Sequence, residues 1–343
     1  MTHRFPIKEI AQQAGLGTAT VDRVLNNRAH VSPQTRARVH AAMGELEAQE
    51  HQLAARGRRM FVDVVVEAPR RFSVQIEAAC AAALADISGA VLRPRFLFQE
   101  TMTERDVTAA LKRIQKRGSH GVLLKARDIP SIRTAVQSLE DGGIPVVTLV
   151  TDIGETNRTA YVGIDNAKAG QTAGYLLASV LTTPKGTVLT SSSQEDFQGE
   201  VERLEHFLTC FSQLRPDYKV VAVAGGAGLS GGTKQRLSKE FGGLERVDAV
   251  YSMGGGNRAI LESLRAEGLA PQHFVAHDLD RDNLALLEAG KISFVLHHDL
   301  QLDMTRGFQA LASRHGLANQ QEGRLLSDVH IITPYNIPRS FYQ

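Results

Sequence analysis

From Phe61 onward the chain alternates short apolar runs with helix-length stretches, and that alternation leaves few architectures open. The runs Phe61–Val66, Val91–Phe98, Gly121–Leu124, Val146–Val150, Tyr161–Ile164, Thr187–Thr190, Val220–Val223, Ala249–Met253, Phe274–His277 and Ser293–Leu296 read as strands buried on both faces. Helical stretches separate them, among them Val74–Asp86, Asp106–Arg117, Ala167–Leu181, Gly199–Leu214, Lys234–Phe241 and Arg258–Glu267. Parallel strands need crossover helices, so the alternation predicts α/β architecture with doubly wound parallel sheets. Roughly 270 residues are too many for one such sheet. Two lobes are expected, with a cleft at the carboxyl ends of their strands.

The first 60 residues obey different rules. They hold nine Lys or Arg against five acids, a net +4, which leaves −2 for the rest of the 343-residue chain. A basic head on a slightly acidic body suits a nucleic-acid-binding module, although a merely solvated basic end would carry the same charge. Ile7, Ile10, Ala11 and Ala14 share one helical face, Gly15 ends that helix, and Gly17 or Thr18 starts a second one carrying Thr20, Val21, Val24 and Leu25. Ala11 is small where two helices cross, Gly15 sits where the chain turns, and Val21 packs the second helix on the first. This is helix-turn-helix spacing. Asn26-Asn27 stops the second helix. Ser32-Pro33 opens a third, with Val39, Met43 and Leu46 as its apolar stripe, and Arg36 and Arg38 off that stripe can reach phosphates.

The run Ile7-Lys8-Glu9-Ile10-Ala11-x-x-Ala14-Gly15, then Thr20-Val21-x-Arg23-Val24-Leu25-Asn26, then Val31-Ser32-x-x-Thr35-Arg36-x-x-Val39 resembles the LacI/GalR family of bacterial repressors. The resemblance implies that the second helix enters the major groove. Lys8, Thr18, Ala19, Thr20, Asp22, Arg23, Arg28, Arg36 and Arg56 are then the expected DNA contacts. Three positions depart from the family pattern. Asp22 stands where Ser is usual; a carboxylate can accept from cytosine N4, or it can pair with Arg23 or Arg28. Glu47 to His51 replaces the usual Gly-Tyr-x-Pro-Asn turn. Gly57 falls where the family's hinge helix carries a minor-groove Leu, so Leu53 takes that wedge or the Arg56, Arg58 and Arg59 cluster holds the backbone electrostatically.

A second mark is Val162-Gly163-Ile164-Asp165-Asn166-x-x-Ala169-Gly170-x-x-x-Gly174, which looks like the lobe crossover of periplasmic sugar-binding proteins and of the effector domains of these regulators. The expected architecture is therefore a small all-α helix-turn-helix DNA-binding domain (1–48), a hinge (49–60) and a two-lobed periplasmic-binding-protein-like domain (61–343) for effector binding and dimerisation. Such a fold aims its strand ends into the cleft. The candidate ligand contacts are Arg70, Phe72, Lys125, Arg127 and Asp152 from the first lobe. The second lobe supplies Ser192, Arg203, Asn257, Asp278 and His297. The resemblance implies that Arg203, Asn257 and Asp278 read sugar hydroxyls and that His297 stands where relatives often have Gln. Phe72 stacks on a pyranose face or packs within its lobe; both readings stand. Asp165 at a strand–helix junction is equally a helix cap.

The partners so implied are double-stranded operator DNA, a small sugar, polyol or sugar acid, and a second copy of the chain, with pairing of dimers into tetramers left open. Neither a cofactor nor a metal is expected. Cys80 and Cys210 lie 130 positions apart and read as buried thiols. Without a run of about 18 apolar residues or an apolar leader, a cytoplasmic location is expected. Two rival readings remain. A transport sugar-binding protein shares the body but not the head. Gly226-Ala227-Gly228-Leu229-Ser230-Gly231, with Asp248 about 20 residues on, formally fits a dinucleotide-binding turn and hence an oxidoreductase, but it lies deep in the chain rather than at the first strand–helix turn.

Overall fold

The computed structural model describes residues 4–28, 31–55, 59–87, 90–240 and 244–342, with the side chains at 48–55, 86 and 237–240 excepted. Three helices form the head: α1 (Ile7–Ala14), α2 (Thr18–Leu25) and α3 (Pro33–Ala55). Phe5, Ile10, Ala11, Val21, Val24 and Val39 make its small core. Gly15 adopts φ 61°, and the Leu16 N–H returns to the Ala11 carbonyl at 2.9 Å, so the corner needs a residue without a side chain. Ser32 caps α3 by accepting from the Thr35 N–H at 3.1 Å. The helix runs unbroken to Ala55, so 49–55, assigned above to the hinge, is its last stretch. Arg56, Gly57 and Arg58 lie outside the described residues.

The strands of the body are β1 (Arg59–Glu67), β2 (Val91–Gln99), β3 (Gly121–Lys125), β4 (Val146–Leu149), β5 (Ala160–Ile164), β6 (Gly186–Ser192), β7 (Tyr218–Ala224), β8 (Ala249–Ser252), β9 (His273–His277), β10 (Phe294–His297), β11 (Gly323–Ser327) and β12 (His330–Ile332). Its helices are α4 (Arg70–Asp86), α5 (Glu104–Arg117), α6 (Pro130–Asp141), α7 (Asn166–Val180), α8 (Gln198–Leu214), α9 (Ser230–Glu240), α10 (Asn257–Ala266), α11 (Arg281–Glu288) and α12 (Leu300–Ser313). They build two six-stranded sheets, ordered β11-β5-β4-β3-β1-β2 and β12-β10-β9-β8-β6-β7. All ten strands expected from sequence are present, and each lobe gains one edge strand from the C-terminal segment.

Among the described residues only β12 departs from the parallel expectation, pairing antiparallel with β10. It reaches its sheet directly from the other lobe rather than through a crossover helix, so nothing forces it to run with its neighbours. Buried side chains line both faces of each sheet. Val62, Val64 and Val66 of β1 pack towards α4 and α12, and Val65 packs towards α5 and α6. Cys80 is buried in the first core, where burial pushes its thiol up to about 12; Cys210 is only half-buried, a correction to the expectation that both thiols are interior.

The chain crosses between lobes three times: from β5 to α7, from β10 to α12, and from β11 to β12. The Asp165 N–H donates to the Ser327 carbonyl at 3.3 Å, and Arg306 on α12 donates to the Leu326 carbonyl at 2.9 Å, so the crossings lie side by side.

Candidate functional site

In the head, packing turns one face of α2 inward through Val21 and Val24 and leaves Thr18, Ala19 and Arg23 exposed, with Thr20 half-buried. Lys8 is exposed on α1. A short helix with its N-terminal residues bare is the geometry by which base edges are reached in the major groove. Asp22 is engaged within the head: it accepts from Asn26 Nδ2 at 2.8 Å and pairs with Arg28 at 3.3 Å. Arg36 donates to the Arg28 carbonyl at 3.3 Å, so Arg28 and Arg36 together fix the turn after α2.

In the body a cavity of about 60 Å³ lies between the carboxyl ends of the two sheets. From the first lobe it takes Glu67 at the end of β1, Arg71 and Phe72 after it, Lys125 at the end of β3, and Val150 and Thr151 after β4. From the second lobe come Ser193, Glu200 and Arg203 after β6, Met253 after β8, and His277, Asp278, Asp280 and Asn283 around the end of β9. The lobes touch around it. Arg71 Nε donates to Asp280 at 2.7 Å, Gln75 Nε2 to the Leu279 carbonyl at 2.7 Å, and Lys125 Nζ lies 3.9 Å from the centre of the Phe197 ring.

Helix packing sets Arg203. A Cβ at Gly170 of α7 would come within 2.2 Å of the Arg203 carbonyl, so only glycine lets α8 lie this close. The Arg203 side chain, 3% exposed, donates Nε to Asn166 Oδ1 at 2.7 Å and Nη1 to the Met253 carbonyl at 3.0 Å. Asn166 in turn donates to the Tyr161 hydroxyl at 3.0 Å, and the single proton of that hydroxyl is shared between the Val150 and Ile164 carbonyls, at 3.1 and 3.0 Å. A hydrogen-bonded chain thus joins the first crossing to the cavity. Val150 and Asp278, one on each wall, both hold left-handed φ angles, 67° and 61°, a conformation Asp tolerates but a β-branched residue such as Val150 seldom adopts.

Asp278 faces the buried His298, with Nε2 3.5 Å from its Oδ1, and His298 Nδ1 lies 2.6 Å from Asp303. Burial alone would push the imidazole down, but the two carboxylates outweigh it and raise its pKa to about 9. Burial likewise opposes ionisation of Asp278, and His298, with Arg203, overcomes it and holds the carboxyl below its ordinary range. Lys125 is pulled below its ordinary range by burial, against the charges of Glu200 and Glu67. The cavity therefore offers fixed charges of both signs at short range, the set that pairs with hydroxyls through charge-assisted hydrogen bonds.

Of the residues singled out from sequence, Phe72, Lys125, Arg203 and Asp278 line this cavity. The other six stand behind or beside it. Arg70 is exposed, and Arg71, one position on in α4, enters instead. Arg127 pairs with Glu67 at 3.4 Å. Asp152 accepts from Arg158 and Thr148 and from the Ile153 N–H. Ser192 ends β6 one residue before the lining Ser193. Asn257 donates to Asn283 at 2.7 Å, and Asn283 donates to the His277 and Asp278 carbonyls, so Asn257 acts through Asn283. His297 accepts from the Leu279 N–H at 3.3 Å, and burial pushes its pKa down to about 4. Asp165 caps α7.

Sequence reasoning missed Arg71, Glu67, Glu200, Asp280 and the His298–Asp303 pair. Asp280 is an N-cap three residues before Asn283, a signal present in the sequence; Arg71 depends on its contact with the other lobe, whereas Glu67 pairs with Arg127, Glu200 with Ser193 and His298 with Asp303 without crossing the cleft. The glycine-dense turn after β7 serves packing. The N–H groups of Gly225, Ala227 and Leu229 are spent on the Ser192, Ser193 and Gly226 carbonyls, and the Gly228 carbonyl accepts from Arg71. Asp248 accepts from the Thr187 N–H and pairs with Arg246.

A family model described as periplasmic binding protein domain matches residues 64–312, and one described as bacterial regulatory proteins, lacI family, matches residues 6–47. The HTH-type transcriptional regulator TreR of Salmonella typhimurium is 51% identical over 45 residues; the alignment covers 13% of this chain and only 14% of that relative. Among solved structures, GanP, a glucose-galactose binding protein from Geobacillus stearothermophilus, superposes with a TM-score of 0.73 at 18% identity, covering 82% of this chain and 99% of its own. A putative LacI transcriptional regulator from Bacteroides fragilis gives a TM-score of 0.71 at 15% identity, covering 83% of this chain and 100% of its own. At such identities the structures speak for the fold.

Proposed function

Because this chain belongs to the periplasmic binding protein domain family and carries a lacI-family head, we propose that it is a ligand-responsive transcription regulator, a repressor that binds operator DNA through the head and a small carbohydrate through the cleft. The observation that carries this reading is the union, in one chain, of an exposed helix-turn-helix at residues 7–25 with a charged cavity gripped from both lobes. Two copies bind a roughly palindromic operator, since a two-fold dimer presents two heads to two half-sites. The ligand is a sugar, polyol or sugar acid. Arg203 and Asp278 supply a donor and an acceptor for vicinal hydroxyls, and the similar GanP is a glucose-galactose binding protein. The protein works in the cytoplasm, where its DNA is, and by binding rather than catalysis. Ligand differentially favours the closed lobes and so changes head placement and DNA affinity.

The test has two arms on the full chain. Selection from a random duplex pool should enrich a palindrome. A thermal-shift screen of monosaccharides, polyols and sugar acids should find a stabilising ligand, because selective binding to the folded state raises stability by mass action. Ligand binding with no enriched DNA would favour a transport binding protein instead.

A further inference from the structure

Two buried cations line the cavity with only uncharged partners. Lys125 stands on the wall of the first lobe and Arg203 on that of the second, 8% and 3% exposed. Lys125 Nζ donates to the Glu67 carbonyl at 2.9 Å and lies over the face of the Phe197 ring. Arg203 spends Nε on Asn166 Oδ1 and Nη1 on the Met253 carbonyl. Among the described residues neither forms an ion pair with a carboxylate. The ammonium therefore keeps an N–H for a ligand, and the guanidinium keeps the two N–H groups of Nη2.

The carboxylates of the same walls are already held by the protein. Glu200 accepts the Ser193 N–H and hydroxyl, each at 2.6 Å. Asp280 takes Arg71 at 2.7 Å and the Asn283 N–H at 2.8 Å. Glu67 pairs with Arg127 at 3.4 Å, and Asp278 faces His298. Glu200, Glu67 and Asp278 favour the charged form of Lys125 through space, while burial and the charge of Arg203 oppose it. Closing the lobes thus brings two like charges towards each other in a site with little water. A buried charge without a counterion in contact is strongly disfavoured, and a neutral hydroxyl does not cancel it.

We propose that the effector is a sugar acid whose carboxylate bridges the lobes, one oxygen taking the Lys125 ammonium and the other Arg203 Nη2. The proposal rests on the reading of the cleft as a carbohydrate site and narrows it. A carboxylate has two oxygens, one for each cation, and the second N–H of Nη2 remains for the hydroxyl beside it. Nε and Nη1 are committed, so Arg203 cannot present the two-pronged fork that suits a phosphate. A phosphate monoester would also bring a third oxygen and up to about two charges, more than these two groups match. The bridging anion turns the repulsion between the walls into attraction, so it is the part of the ligand that favours closure.

The experiment uses the full chain and calorimetry. The probes are D-gluconate, D-galactonate, D-glucuronate and D-galacturonate, each beside D-glucose or D-galactose and the matching alditol, with glucose 6-phosphate and galactose 6-phosphate as a further arm. At least one acid should bind about tenfold or more tightly than its neutral counterparts and than the phosphate of the same sugar. Lys125→Met should bring that acid to the level of its neutral counterpart, and Lys125→Arg should keep the preference. If Lys125→Met does not fold, the preference of the wild-type chain and of Lys125→Arg decides. A neutral sugar that binds as tightly as its acid overturns the proposal and leaves the carbohydrate reading intact. Tighter binding of a sugar phosphate overturns the choice of carboxylate, and an undiminished preference in folded Lys125→Met overturns the bridge. If no probe binds the wild-type chain, the carbohydrate reading fails and the proposal falls with it.

Discussion

Arg71, in the first turn of α4, spans the cleft to Asp280, the N-cap of α11, at 2.7 Å, and its Nη2 also donates to the Gly228 carbonyl at 3.0 Å. One side chain from the first lobe thus holds two loops of the second. The pair is largely buried, with 23% of the Arg71 side chain and 6% of that of Asp280 exposed. Burial pushes the Asp280 carboxyl up, against the charge of Arg71.

Arg71→Ala should therefore favour open lobes. Small-angle scattering of the ligand-free variant should give a larger radius of gyration than wild type, and ligand affinity should fall because closure has lost a contact that supports it. An unchanged radius with unchanged affinity would mean that other cross-lobe contacts suffice.

Arg203→Ala and Asp278→Asn test the second-lobe wall. Each removes a charge-assisted partner of a ligand hydroxyl, so affinity should drop by about ten- to a hundredfold in calorimetry. The two differ in stability. Arg203→Ala leaves Asn166 Oδ1 and the Met253 carbonyl unpaired in a buried site and should cost about 1–3 kcal/mol in denaturant unfolding. Asp278→Asn keeps a residue type that tolerates left-handed φ and should cost less backbone energy. Wild-type ligand affinity in both variants would remove them from the site.

The His298 cluster makes stability pH-dependent in a defined sense. Its pKa is raised to about 9 from an ordinary 6.5, so its contribution is complete below 6.5 and is lost as pH rises through 9. Asp278, held low, contributes fully above its ordinary 3.8 and loses that contribution only on acidification. His277 and His297, pushed down by burial, act in the opposite direction to His298 below 6.5. The stability difference between wild type and His298→Gln isolates the effect and should shrink between pH 6.5 and 9. A difference that is flat across that range would show that His298 is neutral when folded.

Gly170→Ala should disturb the site from a distance. The added methyl meets the Arg203 backbone, and separating α7 from α8 should cost about 1–3 kcal/mol by overpacking. Ligand affinity should fall with it, because Arg203 moves with α8. Stability measured by urea unfolding, alongside calorimetry, tests both halves; a fully stable variant with weakened binding contradicts the packing argument.

Asp22 spends both carboxylate oxygens on Asn26 and Arg28. Asp22→Ser should therefore leave the selected base sequence unchanged while strengthening binding at low salt, through loss of a negative charge and release of Arg28. A changed base at one operator position would instead identify Asp22 as a reader.

Periodicity made the ten body strands and three head helices legible, because each is specified by local burial: continuous apolar runs such as Val62–Val66, or a face such as Ile10, Ala11 and Ala14. β11 escaped notice since Arg324, Leu325 and Leu326 are exposed or half-buried at an edge, and three-residue β12 is too short to show a period. Site residues were legible where one strand end decides them, as at Lys125 and Asp278. Arg70 and Arg71 could not be told apart, because the choice depends on where α4 starts. Glu67 needed Arg127, 60 residues on, to be in place before its partner existed, while Glu200 and His298 pair with Ser193 and Asp303 a few residues away but carry no periodic signal of their own.

The three crossings between lobes also govern how the molecule is made. β11 and α12 return to the first lobe after the whole second lobe has been laid down, and β12 then closes the second sheet. Leu300, Met304, Phe308, Ala310 and Leu311 of α12 are buried in the first core. Neither half therefore has all its elements until the last strands, β11 and β12, have been made. A nascent chain stopped after His297 holds two five-stranded fragments, each with an unprotected edge, rather than one mature half and one pending.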